Sequence, residues 1–211
     1  MTIAICALLE DEALIAADGK VIDIESMTVV RDNDQKVEVL SKNLAAVGLG
    51  AELGIKIALS EIRQKLPTCK SLNEIEQLFK NSVDNSWIRF MNHYGHGKNH
   101  NNPFFKVGCL FAGTIDGSNF IGGVIKSLNS VCSLIETEPG RWIVKGGEEC
   151  NSREDFNVRQ KSTPFGLWDY AGVMKCCEAT IRHAEKCYNL YGGRITYSII
   201  RAGQPVDVKD L

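Results

Sequence analysis

No apolar run in the 211 residues approaches the roughly 20 needed to span a bilayer, so a helical membrane protein is not expected. An excess of one charge is missing too. Lysine and arginine number 24 against 26 acidic residues, and the net charge of -2 gives no electrostatic reason to expect nucleic acid or an anionic membrane as partner. The start has no basic segment of the secretory kind, and Glu10-Asp11-Glu12 interrupt its first apolar run early, so the cytosol is the expected compartment. Neither an internal repeat nor a low-complexity stretch occurs. Zinc-ribbon spacing is absent among the eight cysteines. Cys6, Cys109 and Cys132 lie in apolar strand-like runs, and Cys176, Cys177 and Cys187 lie on a helical pattern. Free and mostly buried thiols in a reducing compartment are the expectation.

Hydrophobic residues at 44% and charged residues at 24% are instead those of a globular protein, and residues 1–211 suffice for one domain with a sizeable core. Apolar runs before and after Glu10-Asp11-Glu12 predict a hairpin ending at Asp18. Neither run alternates cleanly, which predicts strands buried on both faces. Residues 21–34 read as an irregular excursion with short strands. Lys36–Leu40 and Leu44–Val47 form a second hairpin, and Gly48 and Gly50 lead into a helix that Pro67 stops. Ser71 and Glu74 read as a capping box opening a helix to about Phe90. Residues 92–103 form a polar loop with His93, His96 and His100. Without cysteine or carboxylate ligands nearby, it is not read as a metal site.

Strands follow over Lys106–Ile115, Phe120–Ile125, Val131–Ile135 and Arg141–Val144. Gly146-Gly147 opens a short acidic helix, and residues 157–163 form a connector. Pro164 starts a last helix with Leu167, Ala171, Met174, Cys177, Ile181, Ala184 and Tyr188 on its buried face. Gly192-Gly193 ends it before a strand over Arg194–Arg201. That order is α+β. Trp87, Trp142 and Trp168 read as core or interface anchors.

The residues that could carry chemistry gather in the first fifty. Thr2 offers a hydroxyl near an amino end, Asp18 a carboxylate, Lys36 a cation and Gly48 a glycine turn, which are the parts of an acyl-transfer site. Each also has a plain reading: Thr2 as a β-branched strand opener, Lys36 as a strand-edge lysine, Gly48 as the glycine that starts a helix.

In order, Thr2, Ala16-Ala17-Asp18-Gly19, Lys36-Val37 and Ala46-Val47-Gly48-Leu49-Gly50-Ala51 resemble the proteasome β-type peptidases among the N-terminal nucleophile hydrolases. That group includes the peptidase subunit of the bacterial two-component ATP-dependent protease. Asp18-Gly19-Lys20 is similar to the bacterial subunit, and Tyr191-Gly192-Gly193-Arg194-Ile195-Thr196-Tyr197-Ser198 is nearer to proteasomal β subunits. The resemblance implies a four-layer α-β-β-α sandwich and peptide-bond hydrolysis by Thr2 once Met1 is removed. An N-terminal threonine supplies its own base, because an α-amino group has a pKa of about 7.7–8. It further implies that Lys36 favours the deprotonated nucleophile, Asp18 holds Lys36, the Gly48 N–H faces the oxyanion and Lys20 lies near the substrate channel. No cofactor or metal is implied. Peptide or unfolded-protein substrates and a homo-oligomeric ring of at least six subunits are; the existence of an ATPase partner is left open.

The sequence departs from that pattern at two places. Lys145-Gly146-Gly147 lacks the serine usual before the acidic helix. Tyr188 and Tyr191 stand where an aspartate and a serine usually precede the late Gly-Gly. An inactive ring-forming subunit, or an amidase acting on small molecules, are therefore the competing expectations.

Overall fold

The computed structural model describes residues 2–23, 26–94, 106–127, 130–146, 150–162 and 169–211. Its first two strands, β1 (Ala4–Leu8) and β2 (Glu12–Asp18), are buried along almost their whole length and pair antiparallel from Ala4–Ala17 to Leu8–Ala13. The missing alternation has a direct cause. Successive side chains of a strand point to opposite faces, and here both faces meet apolar layers. Ile5, Ala7, Leu14 and Ala16 join one apolar cluster, while Ala4, Cys6, Leu8, Ala13, Ile15 and Ala17 join another.

Beyond β2, a small separate pair is made by β3 (Val21–Asp23) and β4 (Thr28–Arg31). The second large sheet is a meander of β5 (Val37–Ser41), β6 (Leu44–Gly50), β7 (Val107–Ile115), β8 (Ser118–Ser127) and β9 (Ser130–Glu136). Helices α1 (Glu52–Lys65) and α2 (Leu72–Tyr94) cover it. Ala58, Leu59, Ile62, Phe79 and Val83 meet Phe111, Phe120 and Val124 there, with the Phe79 and Phe111 rings 4.0 Å apart. Ile62 is fully buried in this seam, so Ile62→Ala should cost about 2–5 kcal/mol.

The first sheet is completed from the later part of the chain. β10 (Trp142–Lys145) pairs with β1, β11 (Ile195–Arg201) with β2, and β12 (Asp207–Asp210) with β11. Helices α3 (Ser152–Ser162) and α4 (Tyr170–Cys187) lie on it through Phe156, Val173, Met174, Cys177, Ile181 and Ala184. The third cluster lies between the two sheets, joining β1 and β2 to Val37, Ala45, Val47, Leu110, Ala112 and Ile121. Among the described residues no helix is long and apolar enough to cross a membrane. All eight cysteines are free thiols.

Several expectations need correction. The predicted connector over 157–163 is instead helical as far as Ser162: Asp155 and Arg159 pair at 2.6 Å one turn apart, and Trp142 Nε1 donates to Asn157 Oδ1 at 2.7 Å. Phe156, fully buried, is the main apolar anchor of α3, too little for a periodic signal. For α4, Asp169 provides the cap, its Oδ1 accepting from the Gly172 N–H at 2.7 Å; Pro164, Leu167 and Trp168 lie outside the described residues. Tyr188 follows α4 and is 41% exposed, so it does not belong to the buried face. Because α2 continues to Tyr94, His93 rides its last turn, while His96 and His100 lie outside the described residues. Cys132 and Cys187 are exposed. β12 was not anticipated at all, being short, polar and held by backbone pairing.

Candidate functional site

One end of β1 and β2 brings three chain segments against a single buried carboxylate. Asp18, the last residue of β2, has no exposed surface. Its Oδ1 accepts from the Ile3 N–H at 3.0 Å and from Lys36 Nζ at 3.1 Å, and its Oδ2 accepts from the Gly192 N–H at 3.1 Å. Lys36 precedes β5 and reaches in with only 10% of its side chain exposed. Its ammonium also donates to Thr2 Oγ1 at 3.0 Å and to the Lys20 carbonyl. Thr2, Asp18 and Lys36, singled out from the sequence, therefore stand in one hydrogen-bonded chain. Met1 lies outside the described residues.

Burial lowers the pKa of Lys36 from its ordinary value, against the pull of the Asp18 charge, the hydrogen bond to Asp18 and the more remote Asp34. Burial also raises the Asp18 carboxyl, opposed by the Lys36 charge and by the Ile3 and Gly192 N–H groups. Each group thus depends on the other to remain ionised out of water, and removing one leaves an uncompensated charge. What this arrangement can do is hold a cation against a threonine hydroxyl, favouring the alkoxide-like state that a nucleophile passes through.

Glycines let the backbone close in. Gly146 has a φ of +83°, and a Cβ there would stand 1.8 Å from the Thr2 carbonyl oxygen. Gly192 has a φ of +98°, which turns its N–H toward Asp18. Gly48 differs from expectation: it lies within β6, not at the turn into the helix. A Cβ on it would meet Ile55 Cγ2 of α1 at 2.1 Å, so glycine is needed there for the helix to approach. Continuing the register of Val37 opposite Val47 by one residue sets Gly48 opposite Lys36.

Lys20, expected near the substrate channel, is engaged on the protein side. It is only 7% exposed and is tied to the Asn189 carbonyl at 3.1 Å, Asn189 Oδ1 at 3.2 Å and Glu185 Oε1 at 3.3 Å. Of the two tyrosines at the altered positions, Tyr191 is buried beneath α4 and its ring lies 6.3 Å from that of Tyr188.

In fold, the chain is similar to Anbu. A solved structure of an Anbu (Gly-1) mutant from Hyphomicrobium sp. strain MC1 superposes with a TM-score of 0.71, covering all of this chain and 87% of that one. Sequence identity is 13%, so the likeness shows the fold alone. No protein-family model matches the chain, and no curated protein matches it in sequence. In all, 505 solved chains match the fold, which leaves the chemistry to be argued from the site itself.

The residues missed by sequence reasoning are Ile3, Gly146, Gly192 and Glu185. Ile3 and Gly192 act through backbone N–H groups, which any residue but proline can offer, and only the Gly146-Gly147 and Gly192-Gly193 pairs gave a signal. Among the described residues no group of three or more His, Cys, Asp or Glu side chains is placed to hold a metal.

Proposed function

We propose that this chain is a proteasome-like N-terminal nucleophile hydrolase that cleaves peptide bonds with Thr2, within one domain over residues 1–211. The observation that carries the reading is the Lys36 ammonium, held at 3.1 Å by a fully buried Asp18 and donating to Thr2 Oγ1 at 3.0 Å. A lysine whose only role was at a strand edge would leave its head in water. The likeness to Anbu, a bacterial proteasome-like protein, supports the same theme at the level of fold. The three apolar clusters read as the seams of a four-layer α-β-β-α sandwich.

In this mechanism, removal of Met1 exposes the Thr2 amine. The amine takes the hydroxyl proton, directly or through water, as Oγ1 attacks the scissile carbonyl. The tetrahedral intermediate is stabilised by the Gly48 N–H. Its collapse passes the proton to the leaving amine and leaves an ester on Thr2, which water then hydrolyses. Lys36 stays protonated throughout and offsets the developing negative charge on Oγ1, while Asp18 keeps it aimed. Substrates are peptides or unfolded chains, and the working form is a cytosolic homo-oligomeric ring of at least six subunits. Light scattering showing a stable monomer near 23.3 kDa would remove the ring from this reading.

Tyr188 and Tyr191 at the altered positions favour a second reading, an inactive ring-forming subunit with the same fold. One experiment separates the two. Protein verified by intact mass to lack Met1 is treated with an electrophile that requires both the hydroxyl and the free amine of an N-terminal threonine. The peptidase forms an adduct on Thr2, and Thr2→Ala abolishes both adduct and turnover with the fold intact. Processed protein that stays unlabelled and cleaves nothing in a broad peptide library is the scaffold.

A further inference from the structure

The charged residues behind Asp18 form a second layer that the acyl-transfer chemistry does not use. Glu185, near the end of α4, accepts from the Gly193 N–H at 3.1 Å and from Lys20 Nζ at 3.3 Å through Oε1, and from Arg182 Nη1 at 2.8 Å through Oε2. Its carboxyl packs so closely that a Cβ on Gly192 would meet its Cδ at 2.3 Å. Arg182 Nη1 also donates to the Gly193 carbonyl at 2.9 Å. Backbone bonds stitch the same place together: the Gly19 N–H to the Gly192 carbonyl at 3.0 Å, the Arg194 N–H to the Asp32 carbonyl at 2.9 Å and the Asp34 N–H to the Gly19 carbonyl at 3.0 Å. The segments around residues 18–20, 32–36 and 192–194 thus meet in one knot, with Glu185 and Lys20 as its side-chain fastenings.

Lys20 faces both ways. Its ammonium holds Glu185 and Asn189, and its carbonyl receives Lys36. Glu185 in turn fixes Gly193, whose neighbour Gly192 gives its N–H to Asp18. We propose that Glu185 is a positioning residue for the Asp18–Lys36 pair: it clamps the Gly192-Gly193 turn so that the Gly192 N–H stays on Asp18, and it anchors Lys20 so that the Lys20 carbonyl stays on Lys36. The clamp acts on the pair given a role under the Thr2 reading, and deepens that reading. The charged groups around the pair are Lys36 itself, Asp34, Lys20, Glu185 and Arg182.

The test reads Asp18 directly and needs no turnover. The midpoint of the Asp18 carboxyl is followed by carbon NMR in the wild-type protein, Glu185→Ala and Glu185→Gln. Loss of the clamp lets the Gly192 N–H drift from Asp18, and a carboxylate that loses a donor binds its proton more tightly. Both variants lose the same negative charge, which by itself lowers the midpoint, so the comparison is between them: the midpoint should lie about 0.5–1 unit higher in Glu185→Ala than in Glu185→Gln, whose amide oxygen still accepts from the Gly193 N–H. Equal midpoints in the two variants, with only the melting temperature lowered in Glu185→Ala, overturn the proposal and make Glu185 a stabilising contact. Should the alanine protein not fold, Glu185→Asp carries the test, because it keeps the charge but draws the carboxylate back from the Gly193 N–H; an upward shift supports the clamp and no shift overturns it. Failure of Thr2 to label or cleave appears in a different measurement and bears on the peptidase reading alone.

Discussion

The two ends of the first hairpin carry similar numbers of charged residues and do opposite things with them. At the Thr2 end, Asp18 and Lys36 are shut away from water, every described oxygen of Asp18 has a donor, and glycines at 146 and 192 let backbones close around them. At the other end, Glu10 and Asp11 are exposed beside an open cleft of about 630 Å³ whose lining includes Leu8, Gly117, Asn119, Pro139 and Arg201. Arg201 and Glu12 pair there at 2.7 Å, with the arginine side chain 44% exposed. Charge interactions strengthen as water is excluded, so the tightly filled end is where a lysine can act on a hydroxyl.

That contrast can be broken most severely at Lys36. Lys36→Ala should lower peptide turnover by about 10²–10³-fold, the loss typical of removing one preorganised electrostatic group. Steady-state kinetics on the processed protein measure it, and a rate within a factor of three of wild type would make the buried pair a bystander. Asp18→Asn comes next. It sets an amide among two N–H donors and an ammonium, and should cost about 3–5 kcal/mol in denaturant unfolding, as for other broken buried pairs. Gly146→Ala should be destabilising by about 1–3 kcal/mol from the positive φ alone, before its collision with the Thr2 carbonyl is counted, and is read in the same unfolding experiment.

Smaller effects sharpen the comparison. Burial raises the Glu185 carboxyl, but Arg182, the Gly193 N–H and Lys20 together outweigh it and hold the group below its ordinary 4.5. A depressed carboxyl gives stability that is present above 4.5 and lost as pH falls through the folded value. Glu185→Gln should flatten that acid loss, by less than about 1 kcal/mol because the side chain is 29% exposed. Melting curves between pH 3 and pH 6 check it. At the cleft end, Glu10→Gln combined with Asp11→Asn should change stability by less than about 0.5 kcal/mol and leave turnover unchanged. A large loss of activity there would mean that the open cleft takes part in the chemistry.

Much of this was legible in the residues. Unbroken apolar runs flanking Glu10-Asp11-Glu12 announced strands buried on both faces, and the order Thr2, Asp18, Lys36 announced groups that the fold brings together. What was hidden has a common cause. The N–H of Ile3, the carbonyl of Lys20 and the edge pairing of β12 are backbone features, carried by every residue type but proline in the case of the N–H. Gly48 looked like a turn residue because glycine suits turns. The reason for it is the passing Ile55 side chain, 52 to 65 being a helix that the strand must admit. Tyr188 fitted the helical period but lies one residue past the last turn, where the period no longer decides direction.

The bond from Gly192 to Asp18 spans 174 positions of the chain, and β11 pairs with β2 over a similar distance. Contacts this remote in sequence form late, because the intervening loop must be closed before they return any energy. During synthesis the first hairpin and its threonine emerge well before the donor that completes the carboxylate, which lies 174 positions later. A chain made only that far carries Thr2 and Lys36 without the finished cradle around Asp18. The hydrolytic chemistry proposed for Thr2 would be switched on by the arrival of Gly192 and β11, a timing device written into the order of the strands.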